Sequence, residues 1–290
     1  MEQNGNDNVA AQWKGDVMRF LTQLLNSFAR RPAAGAPGVD RVAAIIEETK
    51  ARATSCLRLI PGGDGSSRLG GAPDMKGEWP RYHGRPLSFV AQLDAATMCA
   101  AGGPDWLPQD GRLLFFYELE HGGWGLESGD AGCFAVRHET GSASPALEPA
   151  DLPDGARFPA YPVSFVAAPS YPDQGRLQID WRKVSKAEYR ALEAALEALA
   201  PPEPAHQVGG YPGPIQADEM ERECQLIVDG KGAEAEAEAG VADWRLLLQL
   251  DTDDGPSMMW GDTGRLYFWV REQDARSGDF SKSWMILQCC

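Results

Sequence analysis

Residues able to do chemistry are few and scattered in this chain. It contains four histidines, His83, His121, His138 and His206. None is spaced from a cysteine or a second histidine as zinc ligands are, and no HExxH occurs. The six cysteines, Cys56, Cys99, Cys133, Cys224, Cys289 and Cys290, include no CxxC pair and read as core thiols. Cys289-Cys290 closes an apolar stretch, so the pair reads as the end of a buried strand; an exposed redox or metal-binding tail is the other reading. No GxSxG, Walker A or GxGxxG stands in its required strand context. Gly62-Gly63-Asp64-Gly65-Ser66-Ser67 has a phosphate-loop look but lacks the lysine and the apolar helix behind it, so it reads as a flexible loop. The chain is therefore expected to be non-enzymatic, with no catalytic residue, no metal site and no cofactor.

Two groups remain as candidates for binding. Asp251-x-Asp253-Asp254-Gly255 resembles the opening of a calcium loop, where alternate carboxylates on a tight turn converge on a hard cation, but the later glutamate is missing and a solvated acidic turn is expected. Met258-Met259-Trp260-Gly261-Asp262 and Gly122-Gly123-Trp124-Gly125 both set a tryptophan among glycines. That arrangement lets backbone or ligand approach an aromatic face, while core packing gives the same pattern.

Charge supplies the strongest compositional signal. Of 290 residues, 27 are Lys or Arg and 42 are Asp or Glu, for a net of −15. Phosphate affinity comes from clustered basic residues, so nucleic acid and anionic membrane are excluded as partners and a basic protein is the natural complement. Residues 216–254 hold twelve acids against three bases, a net of −9. Asp218, Glu219, Glu221, Glu223, Asp251, Asp253 and Asp254 are the expected partner-binding residues of this segment. Its 233–240 stretch alternates Glu with Ala and reads as a solvated loop or short helix. The apolar fraction of 43% with nine tryptophans provides a core, and no apolar run reaches a membrane span. The first ten residues are polar, unlike a signal peptide, so a cytoplasmic location is expected.

The elements that must position these groups follow from periodicity. Trp13, Val17, Phe20, Leu21, Leu24, Leu25 and Phe28 recur at steps of three and four, predicting an amphipathic helix that ends before residues 32–38. A second helix runs from Asp40 with Val42, Ile45 and Ile46 on its apolar side. Short apolar runs at 57–60, 87–93, 112–119, 133–137, 163–167 and 177–181, bounded by Gly, Pro and Asp, predict antiparallel strands. Ser185-Lys-Ala-Glu188 is a capping box opening a helix with Tyr189, Leu192, Leu196 and Leu199 on its stripe, stopped by Pro201-Pro202.

Three short strings return in order. Gly70-Gly71-Ala72-Pro73 matches Gly209-Gly210-Tyr211-Pro212, Gln92-Leu93-Asp94 matches Gln249-Leu250-Asp251, and Gly111-Arg112-Leu113-Leu114-Phe115 matches Gly264-Arg265-Leu266-Tyr267-Phe268. Their offsets are 139, 157 and 153 residues, so insertions separate two copies. The expected fold is α+β, with a duplicated, mostly antiparallel β core in pseudo-twofold halves, flanking helices and an N-terminal helical segment. Residues 1–56 form that segment and 57–290 one domain, with repeats at about 57–184 and 205–290 joined by the helix at 185–200.

These strings, together with Glu78-Trp79-Pro80, Pro86-Leu-Ser-Phe-Val-Ala-Gln-Leu-Asp94, Ile215-Gln216 and Met259-Trp-Gly-Asp262, resemble the YwqG-like family of bacterial proteins across 57–290. That family is a domain of unknown function, so the resemblance implies the α+β fold and a bacterial, cytosolic setting rather than a reaction. It further implies similarity to proteins encoded near polymorphic and type VI secretion toxins, some of them immunity proteins. With the acidic 216–254 segment, this leads to the expectation of an immunity protein, an antitoxin that binds and neutralises a cognate toxin, a basic nuclease. The rival reading is a small-molecule-binding protein or enzyme whose cleft between the two repeats is lined by Gln92, Asp94, Trp124, Gln249, Trp260 and Asp262.

Overall fold

The apolar runs of the sequence become strands of one antiparallel sheet. The structure, a computed structural model, describes residues 37–120, 122–216, 218–230 and 234–290. The helix expected at 13–28 and His121 lie outside the described residues. In chain order the elements are α1 (Pro37–Ala51), β1 (Thr54–Pro61), β2 (Arg68–Leu69), a small hairpin of β3 (Arg81–Tyr82) and β4 (Arg85–Pro86), β5 (Ser88–Asp94), α2 (Ala95–Ala100), β6 (Arg112–Tyr117), β7 (Phe134–Glu139) and β8 (Tyr161–Ser170). Then follow α3 (Lys186–Glu197), β9 (Gln207–Val208), α4 (Met220–Val228), α5 (Glu234–Val241), β10 (Trp244–Asp251), β11 (Arg265–Arg271), α6 (Glu272–Ser277) and β12 (Trp284–Gln288).

Ten strands pair in the order β12-β11-β10-β9-β1-β8-β2-β5-β6-β7. The long β1–β8 ladder is central, with Ile60 opposite Ser164, and a four-strand group lies on each side of it. Both groups carry the same irregularity, a register shift between Phe89 and Ala91 where β5 meets β6 and between Leu246 and Leu248 where β10 meets β11. Such bulges bend a strand and increase its twist, which curls the sheet.

The curl makes the sheet nearly closed and barrel-like. Phe115 of β6 meets Phe268 of β11 edge-to-face at 5.1 Å, and Phe134 of β7 meets Trp284 of β12 at the same distance. The 122–125 loop straps the closing edges: the Trp284 indole donates to the Gly125 carbonyl at 2.7 Å, and Leu287 N–H to the Trp124 carbonyl at 2.9 Å. Gly125 has a positive φ of 75°, and a Cβ there would fall 1.7 Å from the Met285 carbonyl, so only glycine allows this approach. The glycines around Trp124 thus admit the backbone of β12.

The core is one continuous cluster reaching from β6 to β12, with a smaller one on the outer face where Leu114 and Phe116 alternate with the inward Leu113, Phe115 and Tyr117. In α3, Ser185 Oγ accepts the Glu188 N–H and Glu188 accepts the Ser185 N–H, as its capping box predicts. Its partner α1 begins at Pro37, within the stretch expected to break helices; proline is tolerated in a first turn, where its missing N–H has no intrahelical acceptor. Arg41 of α1 pairs with Glu188 at 3.0 Å.

One expected strand is absent. Residues 177–181 lie between two 3-10 turns, Gln174–Arg176 and Trp181–Lys183, because Asp173 and Asp180 accept the N–H groups of Gly175 and Arg182. Such short side-chain acceptors compete with ladder formation. Among the described residues no helix is long and apolar enough to cross a membrane.

Candidate functional site

The recurring Gln and Gly-Gly-x-Pro strings form two polar joints. Gln92 Oε1 accepts the Asp74 N–H at 2.8 Å while its Nε2 donates to the Ser66 carbonyl at 3.0 Å. Gln249 Oε1 accepts the Gly213 N–H at 2.8 Å while its Nε2 donates to the Ala205 carbonyl at 2.6 Å. Arg112 donates to the Asp74 carbonyl at 3.2 Å, and Arg265 to the Gly213 carbonyl at 3.0 Å. Both glutamines are buried, and they hold each turn against its strand.

The expected cleft residues therefore disperse. Asp94 caps α2 by accepting the Thr97 N–H. Trp260 is 1% exposed, donates its indole N–H to the Asp251 carbonyl at 3.0 Å, and stacks edge-on with Phe158 and Tyr117. Asp262 is exposed at the surface, and Trp124 is half exposed on the closing strap.

The carboxylates of the Asp251 turn do not converge on a common point. Asp251 is buried and accepts from Arg265 Nε at 2.9 Å and from the Ala205 N–H at 2.7 Å. Asp253 Oδ2 lies 3.1 Å from His206 Nε2, whose Nδ1 accepts the Asp251 N–H. Since Nδ1 is an acceptor, Nε2 carries the proton and donates to Asp253. Burial is the largest single influence and pushes the Asp253 carboxyl up, but the hydrogen bond and charge of His206 and the Gly255 N–H together outweigh it and hold the group below the usual aspartate value. Asp254 is exposed.

The 218–223 acids lie at a different place. Asp218 and Glu221 both clasp Arg176, the latter at 2.8 Å, and although burial opposes the Arg176 charge these two carboxylates hold it firmly protonated. Glu219 is exposed, with no cationic partner among the described residues. Glu223 is half-buried, and one of its oxygens is enclosed without a hydrogen bond; burial, reinforced by Glu219, raises its pKa. Behind this knot opens a cavity of about 710 Å³. Trp106, Trp244 and Trp269 form apolar walls, and Asp218, Glu219 and Glu221 lie on its lining. Its volume lies within the roughly 300–1,000 Å³ of ligand sites.

Sequence reasoning missed Arg176 and these tryptophans. Trp244 opens β10 and Trp269 lies within β11, and Arg176 lies 42 positions from Asp218 with no periodicity to join them. Sequence had also passed over Arg58, a lone cation inside an apolar run.

Three of the cysteine thiols are held in their neutral form. Burial pushes the Cys133 thiol up to about 12 and raises Cys56 and Cys224 as well, so none of the three supplies a thiolate near neutral pH. Among the described residues no group of three His, Cys, Asp or Glu side chains is placed to hold a metal ion. No curated protein matches the chain. A family model does, over residues 67–289, and the chain belongs to that family, DUF1963, a domain of unknown function.

Proposed function

We propose that this protein works by binding: it is a non-enzymatic immunity protein that neutralises a cognate basic toxin, a nuclease of a type VI or polymorphic system, in the cytoplasm of the producing bacterium. In this reading it is a YwqG-like member of its family, built from two repeats, at about 57–184 and 205–290, in pseudo-twofold halves. The shared strand order, bulges and glutamine joints support the duplication.

The observation that carries the toxin-binding reading is the union of charge and shape at α4. Exposed Glu219 stands at a tryptophan-walled cavity in a chain of net charge −15. A lysine or arginine side chain of a partner would enter with its stem against the indoles and its charge against the acids. The acidic field would also speed encounter with a basic surface.

The test is association with the product of the neighbouring open reading frame. Glu219→Lys should slow association about tenfold at low salt and flatten its salt dependence. Unchanged association would move the interface elsewhere; absence of any binding by the wild-type protein would end the immunity reading.

A further inference from the structure

Where the central strand β1 meets β9 of the second β-group, the fold encloses a cation without a counter-charge. Arg58 lies in β1, whose residues from Cys56 to Pro61 are buried on both faces, and is itself 7% exposed. Its Nη1 donates to Gln207 Oε1, but Nε is enclosed with no partner. Among the described residues it has no carboxylate partner; the ionisable groups acting on it are the Cys56 thiol and a second cation, Arg265. Desolvation lowers its pKa, yet a guanidinium stays protonated at physiological pH. A buried, unpaired charge is among the costliest features a fold can carry.

The first group displays the missing counter-charge. There Arg68 meets the Asp74 carboxylate at 3.3 Å, and Gln92 Nε2 donates to the same carboxylate at 2.8 Å. The residue with the backbone relations of Asp74 in the second group is Gly213, which offers no side chain. A Cβ on Gly213 would stand 3.2 Å from Arg265 Nη1 and 3.7 Å from Gln249 Nε2, and its φ lies outside the left-handed region, so the backbone does not demand glycine. In this half the Arg265 guanidinium, a cation, stands where the matching carboxylate stands in the other.

Beside it opens a pocket of about 220 Å³ lined by Arg58, Tyr171, Gly213 and Arg265, and also by the acids Asp173 and Glu203; Glu203 pairs with Arg265 at 2.9 Å, which leaves Arg58 as the cation without an acid partner. The Tyr171 hydroxyl is a second enclosed group with no hydrogen-bond partner. Pro172, Leu196, Leu199 and Pro212 add an apolar wall.

We propose that this pocket binds a small organic anion, whose carboxylate or phosphate group occupies the space beside Gly213 and accepts hydrogen bonds from Arg58 and Tyr171. The volume lies below that of drug-sized sites, which limits the ligand to a small metabolite. The proposal is independent of the toxin-binding reading, because none of its residues lies on α4.

The test titrates the full chain with succinate in one arm and inorganic phosphate in the other, following the Arg58 Nε–H resonance and the melting temperature. Saturable shifts with either probe are expected, and the arm that responds identifies the anionic group. Gly213→Asp supplies the carboxylate internally; it should abolish probe binding and raise the melting temperature of the unliganded protein. Arg58→Met should weaken binding at least tenfold, and if it fails to fold, Gly213→Asp decides. No saturable shift with either probe, or undiminished binding in Gly213→Asp, overturns the proposal.

Discussion

Gln92 and Gln249 perform the same task at two distant points of the chain, each clamping a Gly-Gly-x-Pro turn through one accepted and one donated hydrogen bond. Both are buried, so water cannot replace what they provide. Each methionine substitution, Gln92→Met or Gln249→Met, preserves length but strands a backbone N–H and a carbonyl. At roughly 1–3 kcal/mol for each of the two unsatisfied buried groups, either variant should lose about 2–6 kcal/mol. Urea denaturation should show a lower midpoint with an unchanged slope.

Trp260 is a structural residue by burial and by its bond to the Asp251 carbonyl. Trp260→Ala should destabilise by about 3–5 kcal/mol, the usual range for emptying a large core site. Trp260→Phe keeps most of the packing and loses the hydrogen bond, for about 1 kcal/mol. Thermal denaturation followed by near-ultraviolet circular dichroism separates the two, and equal losses would assign Trp260 a role outside the core.

Local signals were readable wherever neighbours in sequence are neighbours in space. The Ser185 capping box needs only Glu188, three positions away, and the apolar runs of β1, β5, β6, β7 and β8 announce themselves by composition. The 216–254 segment shows the limit. Read as a string it is one acidic surface, but Asp218 and Glu221 are spent on Arg176, Asp251 on Arg265 and Asp253 on His206. Those partners arrive from other strands and loops through the sheet order, which no periodicity encodes. Arg58 was hidden for a related reason: a cation in a half-buried strand normally faces water, and only the curl of the sheet buries both faces of β1.

The His206–Asp253 pair predicts a pH dependence. The Asp253 carboxyl is held below its ordinary value in the folded protein. A depressed folded pKa stabilises fully above the unfolded value, near 3.9, and that stabilisation disappears as the pH falls through the folded pKa. The urea midpoint of the wild-type protein should therefore fall on acidification below about pH 4. Asp253→Asn should be less stable than wild type at neutral pH and should lose part of this acid limb. Identical limbs in the two proteins would show that His206 does not stabilise the carboxylate.

Glu223 predicts the opposite sign. Burial and the neighbouring Glu219 raise its pKa, and its enclosed oxygen has no donor, so ionisation works against folding at neutral pH. A raised folded pKa in an acid means that stability is gained as the pH falls through it and lost above it. Glu223→Gln keeps the shape, removes the charge and replaces a carboxylate with an amide able to donate. It should stabilise by about 1 kcal/mol, discounted for partial exposure, which corresponds to roughly 2–4 °C in melting temperature. The gain should shrink toward pH 4, where the wild-type carboxyl is itself protonated, and a gain independent of pH would trace the effect to packing instead of charge.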